Sequence, residues 1–284
     1  MIIPVVLYYI IFCYLPMFGI IISFKDYSPI KGFFGSEWVG FKYFKQFFTN
    51  MYFPRTVRNT ITISLMDLIV NFPMPIILAL LFNEVRNKKF KTVSTTLTYF
   101  PHFISMVVVC GMIKSFTMSE GIITNLVAFF GGNREPLLMN PAYFKPIYVL
   151  SSTWKEVGWS SIIYMAALCG IDMLLYEACK IDGGGKWRQL IHITLPGIAP
   201  TIILLFIMRM GSLLSVGSEK IILLYNSATY ETADVISSYV YRKGLQEQNW
   251  SYGSAVGLVN SLVNVMFLVV ANTISRRVSE TSLW

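Results

Sequence analysis

An all-α polytopic membrane protein is the fold class that this 284-residue chain predicts, on three observations. Hydrophobic residues make up 55% of it and charged residues only 13%, about half the charged share of an ordinary soluble domain. Six mostly apolar windows, each near the roughly 20 residues that cross a hydrocarbon core, lie at about 2–24, 60–82, 93–117, 146–170, 197–216 and 255–275. Aromatics reach 15%, with Tyr and Trp gathered near segment ends, where amphipathic rings favour the bilayer interface. Within lipid each window must satisfy its own backbone, so each is expected as a helix. Residues 1–284 read as one transmembrane domain without internal repeats.

The first window follows Met1 with no basic leader and no small-residue cleavage site, so it reads as a retained span. After it, WVGFKYFKQFF (38–48) alternates aromatic and basic residues at helical spacing. It reads as a short interfacial helix, with Val39, Phe41, Tyr43, Phe44, Phe47 and Phe48 available to its apolar side. In the second window Asp67 lies near Pro73 and Pro75, which predicts a bent helix whose freed carbonyls need partners. GIITNLVAFF (121–130) is too short to span and reads as a second interfacial or re-entrant helix. Residues 217–254 join the last two windows and contain YNSATYETAD, a turn-rich polar stretch expected outside lipid.

Charge orients the bundle. Arg86, Lys88, Lys89 and Lys91, then Lys180, Lys186 and Arg188, then Arg276 and Arg277 fall on one side of an up-and-down six-span arrangement. Their density makes that side cytoplasmic, with both termini on it. Lys25, Lys31, Lys42, Lys45, Arg55 and Arg58 in the first outer loop run against the trend. The net charge of +8 sits in short clusters beside apolar segments, a pattern of membrane topology rather than of a nucleic-acid face. Cys13, Cys110, Cys169 and Cys179 form no CxxC pair and read as buried structural thiols. His102 and His192 lack ligand-like companions, so no metal site is expected. No nucleophile–base pair and no GxxxxGK[ST] motif appears, which argues against an enzyme.

The most informative stretch is EACKIDGGGKWRQLIHITLPGIAP (177–200), a polar, glycine-rich, basic insert between two apolar windows. Asp172 is placed to cap a helix starting at Met173, and Gly183, Gly184 and Gly185 are placed to end it. Trp187–Ile193 reads as a second short helix, and Pro196 begins the next ascent. The expected product is a helix–turn–helix over 171–196 that protrudes between the fourth and fifth spans.

Glu177-Ala178-Cys179, three residues, Gly183, nine residues, then Ile193-Thr194-Leu195-Pro196 resembles the EAA signature of binding-protein-dependent ABC importer permeases. Cys179 replaces the usual second alanine and keeps that position small. The likeness extends to residues 14–29, 38–48 and 154–159, to LLYNSATYETADVISSYVYRKGL and to WSYGSAVGLVN, and points to the carbohydrate-uptake subgroup. The resemblance implies a type I importer permease fold, with 171–196 as a cytoplasmic coupling loop. It implies Glu177, Ala178, Asp182, Gly183, Gly184, Trp187, Leu195 and Pro196 as the ATPase-coupling set. It further implies a bacterial cytoplasmic-membrane assembly of a second homologous permease, two ATPase subunits and an extracytoplasmic solute-binding protein. ATP and Mg would belong to the ATPases, and this chain would bind no cofactor and no nucleic acid.

Ionisable groups inside spans are costly and usually face a cavity. The substrate-path candidates are therefore Asp67, Asn71, Trp154, Lys155, Glu156, Trp159 and Arg209. Sugars present apolar ring faces edged by hydroxyls, which Trp154 and Trp159 beside Lys155 and Glu156 suit, and an acidic sugar would suit Lys155 or Arg209. Structural readings stand beside these: Lys155 and Glu156 could satisfy each other, Trp154 could be an interface anchor, and Arg209 could pair with a carboxylate of a partner permease. The leading function is a permease subunit importing oligosaccharides or polysaccharide fragments. The alternatives are an ion-coupled secondary transporter, a permease for a non-carbohydrate solute, and a non-transporting membrane scaffold.

Overall fold

Helices dominate the computed structural model of the chain, which describes residues 2–278 and 282–284. Helix α1 (Ile3–Phe24) fills the first apolar window. It widens into a π-helical turn at Ile10–Tyr14, ahead of Pro16, and tightens to a 3-10 helix over Phe18–Phe24. Nothing between Ile3 and Met17 is buried; α1 is fastened at its far end, where the Ser23 and Ser254 hydroxyls meet at 2.8 Å. Strands β1 (Lys25–Asp26) and β2 (Glu37–Trp38) then pair antiparallel, with Lys25 opposite Trp38. Trp38 thus lies on a strand rather than on the expected interfacial helix. Gly40, at φ +58, turns the chain before α2 (Lys42–Phe48) begins. Tyr43 and Phe47 are the buried side of α2, while Phe41 and Phe48 stay exposed.

Helix α3 (Phe53–Glu84) starts before its predicted window, because Pro54 fits a first helical turn that needs no N–H there. Arg55 and Arg58 therefore belong to a span, not to a loop. The helix is dislocated at Phe72, where Pro73 and Pro75 withdraw two backbone donors. The third window is sharply bent. It divides into α4 (Lys88–Phe103) and α5 (Met106–Phe116), bent by 100°. Pro101 lies in a 3-10 turn at the end of α4, and Ser105 restarts the helix by accepting from the Val108 N–H at 3.4 Å.

A short helix, α6 (Ile122–Phe129), precedes α7 (Pro141–Cys169), whose first turn is capped by Asn140 accepting from Ala142 N–H at 3.0 Å. Helix α8 (Met173–Ile181) bends away from α7 by 68°. Asp172 caps α8 by accepting from Leu174 N–H at 2.9 Å. The fifth window is displaced: α9 (Lys186–Met210) begins and ends earlier than 197–216. Trp187–Ile193 is accordingly the first part of this span, not a second short helix. A π-helical turn over Leu190–Thr194 lets the helix absorb Pro196, with Leu195 N–H reaching back to the Leu190 carbonyl. The chain closes with α10 (Ser218–Leu224), α11 (236–246) and α12 (Trp250–Val278). Among the described residues, helices α1, α3, α9 and α12 are each long and apolar enough to cross a membrane, and the count reaches six if α4 with α5 and α7 with α8 are single spans.

Helix α7 is the centre of the packing. At one end Tyr164 and Leu168 meet Ala79 and Ile198; further along, Phe144 and Tyr148 join a core with Ile63, Val109, Ile221 and Val235. A separate aromatic layer of Tyr43, Phe47, Tyr239 and Tyr252 locks α2 and α11 to α12. Within the polar stretch 225–234, Thr229, Ala233 and Asp234 are buried. Asp234 is wholly buried, 3.0 Å from Arg55 Nη2 and 2.7 Å from Arg242 Nη2, and accepts from Ser238 Oγ at 2.9 Å. Of the cysteines only Cys110 is buried; Cys13 and Cys169 are exposed and Cys179 is half-buried. Their apolar segments present these thiols outward, which the buried reading missed.

Two measurements test the packing. A Cβ on Gly158 would stand 2.0 Å from the Thr98 carbonyl oxygen, so α7 and α4 touch backbone to backbone there. Gly158→Ala should cost about 1–3 kcal/mol through overpacking, read as a lower Tm in detergent; an unchanged Tm would refute that approach. Asp234→Ala leaves Arg55 and Arg242 without their buried partner, a loss of roughly 3–5 kcal/mol. Limited proteolysis should then cut within 225–249 at protease levels the parent resists.

Candidate functional site

A cavity of about 730 Å³ opens between α3, α7 and α9 and is lined as well by Ser212, Leu213, Ser215, Val216 and Gly217. Asp67 and Asn71 project from one face of α3, since positions four apart are neighbours on a helix. Tyr148, Ser152, Glu156 and Trp159 line the opposite wall from α7, and Arg209 comes from the last turn of α9. Of the substrate-path candidates, Asp67, Asn71, Glu156, Trp159 and Arg209 share this cavity, whereas Trp154 and Lys155 do not line it.

Arg209 Nη2 forms an ion pair with Asp67 Oδ2 within this chain, so its carboxylate partner need not come from another subunit. Asn71 Nδ2 donates to Asp67 Oδ1 at 2.6 Å, and Thr153 Oγ1 donates to Asn71 Oδ1. The relay fixes Asp67 from behind, while the Arg209 side chain stays 46% exposed.

Lys155 and Glu156 do meet, at 3.4 Å, but their main target is the break between α4 and α5. The buried Lys155 ammonium donates to the His102 carbonyl at 2.6 Å, and Glu156 Oε2 lies 2.8 Å from His102 Nδ1. The His102 ring lies parallel to Trp159, 4.5 Å between centroids. His102 thus belongs to the cavity's supporting wall, a role that screening histidines for metal ligands alone overlooked. The signal was there in Pro101, which marks a break whose carbonyls need donors. Among the described residues no His, Cys, Asp and Glu grouping suits a metal ion.

Lys220, on the connector between α9 and α12, was also missed. It is 3% exposed, and its Nζ donates to the Tyr148 carbonyl at 2.7 Å and to Ser152 Oγ at 2.6 Å. The ammonium also lies 4.6 Å from the Tyr148 ring centroid. Burial pulls its amine down to about 8. Among the described residues no carboxylate stands within ion-pairing distance of it.

At the far end of α9 the glycine-rich turn is built tightly. Gly183 takes φ +75, and a Cβ on Gly184 would fall 2.3 Å from Cys179 Sγ. Tyr176 and Thr194 hydroxyls, 3.0 Å apart, tie α8 to α9, and Lys186 pairs with Glu84 at 2.7 Å. Glu177, Ala178, Asp182, Trp187 and Pro196 are exposed, Leu195 is half-buried and Gly184 is buried. Met173, Leu174, Ile181 and Trp187 leave an apolar surface uncovered on this knob.

Known proteins share this architecture. The model of the "binding-protein-dependent transport system inner membrane component" family matches residues 48–280. The polygalacturonan/rhamnogalacturonan transport system permease protein YteP of Bacillus subtilis is 42% identical over all of this chain and 89% of its own length. Protein LplB of the same organism is 44% identical, over all of this chain and 90% of its own. A subunit in the crystal structure of a bacterial alginate ABC transporter, in complex with its alginate pentasaccharide-bound periplasmic protein, superposes with a TM-score of 0.91. It is 41% identical and covers 99% of this chain and 94% of its own. A helical bundle with an EAA-spaced knob at one end and an ion-lined cavity in its middle belongs, on these matches, to the binding-protein-dependent transport system inner membrane components, the permease subunits of ABC importers.

Proposed function

We propose that this chain is one of two homologous permeases of an ATP-driven importer that moves oligosaccharides or polysaccharide fragments across the bacterial cytoplasmic membrane. The observation that carries the reading is the pairing of an exposed knob, over 171–196, with a cavity reached from it by one continuous helix, α9. The sugar chains named for the relatives above support a carbohydrate cargo. An extracytoplasmic binding protein delivers the cargo to the outer end. Two partner ATPases hold ATP and Mg, and this chain holds neither. Both termini and the knob face the cytoplasm, consistent with the basic residues gathered there.

Glu177 and Asp182, both exposed, meet polar groups of the ATPase surface, the small exposed Ala178 allows close approach, and Trp187 fills an apolar slot. Gly183 and Gly184 give the knob its tight turn, and Leu195 and Pro196 root it in the span. Closure of the ATPases displaces the knob. Transport requires only that the sugar bind the two end states with different affinity, the nucleotide cycle supplying the bias.

Gly183→Pro is incompatible with φ +75, since proline is held near −65°. In proteoliposomes carrying the full importer, ATP-driven sugar uptake should fall by roughly 5–150-fold, the span of a typical coupling energy, with normal insertion of the chain. Glu177→Lys should act in the same direction. Parent-like uptake in both variants, or uptake driven by an ion gradient without ATP, would overturn the reading.

A further inference from the structure

We propose that the Arg209–Asp67 ion pair is a register latch between α9 and α3. It is made in the conformation described here, breaks when the knob is displaced, and sets the balance between the two end states of the transport cycle. This rests on the ATP-driven import reading and adds a regulation to it: a restraint that keeps the ATPases idle when no sugar is present.

Two kinds of contact join α9 to α3, and they respond differently to sliding. Toward the knob the contact is apolar, with Ile198, Ile202 and Leu205 packed among Ile76, Ala79 and Leu80. Further along, the Phe206 ring meets Phe72 edge-on, 5.2 Å between centroids. Apolar burial has no preferred direction, so a shifted register can rebury the same side chains. The ion pair behaves otherwise. Arg209 Nη2 makes a charge-assisted bond with Asp67 Oδ2, and such bonds are short and directional. A displacement along the α9 axis that keeps the apolar layer covered therefore breaks this bond.

Each half of the pair is anchored to a different body. Asn71 Nδ2 fixes Asp67 at 2.6 Å, and Thr153 of α7 fixes Asn71, so the carboxylate moves with α3 and α7. Arg209 ends the helix that begins beside the glycine turn of the knob. Just beyond it, Leu214 N–H donates to Asn264 Oδ1 at 2.9 Å, and a Cβ on Gly211 would stand 3.0 Å from Leu268 Cδ1. The end of α9 is thus joined to α12. Asp67 is only 13% exposed, so breaking the pair leaves a largely desolvated carboxylate without its cation. That cost biases the bundle toward the joined state. Coupling is reciprocal: if closure of the ATPases breaks the latch, weakening the latch eases closure.

The test uses the complete importer in nanodiscs, without sugar or binding protein. Both latch residues line the cavity, and this arrangement removes sugar contact from the readout. Asp67→Asn and Arg209→Gln each abolish the charge pairing. Each should raise resting ATP hydrolysis about fivefold, the low end of a coupling energy, because the guanidinium is half exposed and screened. The reversed pair, Asp67→Arg with Arg209→Asp, should return hydrolysis toward the parent rate, which lost packing alone would not do. Nitroxide labels at Ile69 and Met208, exposed positions beside the latch residues, report the register by pulsed EPR once the native cysteines are replaced by serine. Otherwise parent protein should give one distance without nucleotide and a second with a non-hydrolysable ATP analogue. Asp67→Asn should show the second distance without nucleotide. Parent-like hydrolysis in both single variants, a rise that the reversed pair leaves in place, or one distance throughout overturns the latch. The labelled protein decides the matter even if the reversed pair fails to assemble. Uptake of polygalacturonan and alginate fragments, the sugars named for the relatives, is measured in parallel on the parent with binding protein and ATP. Absence of uptake of both sinks the import reading itself, whereas normal uptake with unmoved hydrolysis sinks only the latch.

Discussion

A broken helix leaves backbone carbonyls that other polar groups must satisfy, and in this chain the bond to the His102 carbonyl organises the groups around the cavity. Pro101 prevents α4 from running on into α5, and the turn there leaves the His102 carbonyl in need of a donor. Lys155, buried in the middle of α7, supplies the donor at 2.6 Å. Its charge brings Glu156 to 3.4 Å, Glu156 fixes the His102 ring at 2.8 Å, and that ring lies flat against Trp159. One satisfied carbonyl thereby sets the position of a carboxylate and of an aromatic surface on the cavity wall. Neighbouring Gly158 shares the same logic: the absent side chain is what allows α7 close enough to α4 for Lys155 to reach.

Much of this architecture was legible in the pattern of apolar residues. Windows of about 20 such residues place helices because an unpaired peptide group in hydrocarbon costs several kcal/mol. The capping of α8 by Asp172 could likewise be read directly, since a carboxylate one residue ahead of a helix has few better acceptor roles. Helix ends were less legible. Pro54 advanced the start of α3, and the π-helical turn at Leu190–Thr194 let α9 pass through Pro196 instead of starting there. Hydropathy averages over such local adjustments.

The site divides in the same way. Asp67, Glu156, Trp159 and Arg209 stand out because a charge or an indole in an apolar window needs a reason. The pairing of Arg209 with Asp67 is hidden, because it joins residues 142 positions apart. Lys220 escaped attention because its apolar neighbours 221–224 are too short to be a span, and composition alone assigned them to the connection 217–254. Its burial depends on α10 folding back against α5 and α7, a tertiary event that no local pattern encodes.

The geometry also bears on how a push at the knob is felt in the cavity. Trp187 and Arg209 lie at opposite ends of α9, on the order of 33 Å apart at 1.5 Å per residue. A continuous helix transmits displacement along its axis, whereas a flexible link between two short helices would dissipate it. The early start of α9 is therefore mechanically significant. It joins the glycine turn to the cavity guanidinium by one rod. Because Asp67 is held by Asn71 on a different helix, any sliding of that rod must strain the Arg209–Asp67 pair. In the import cycle proposed above, that pair is the place where movement of the knob would reach the cavity.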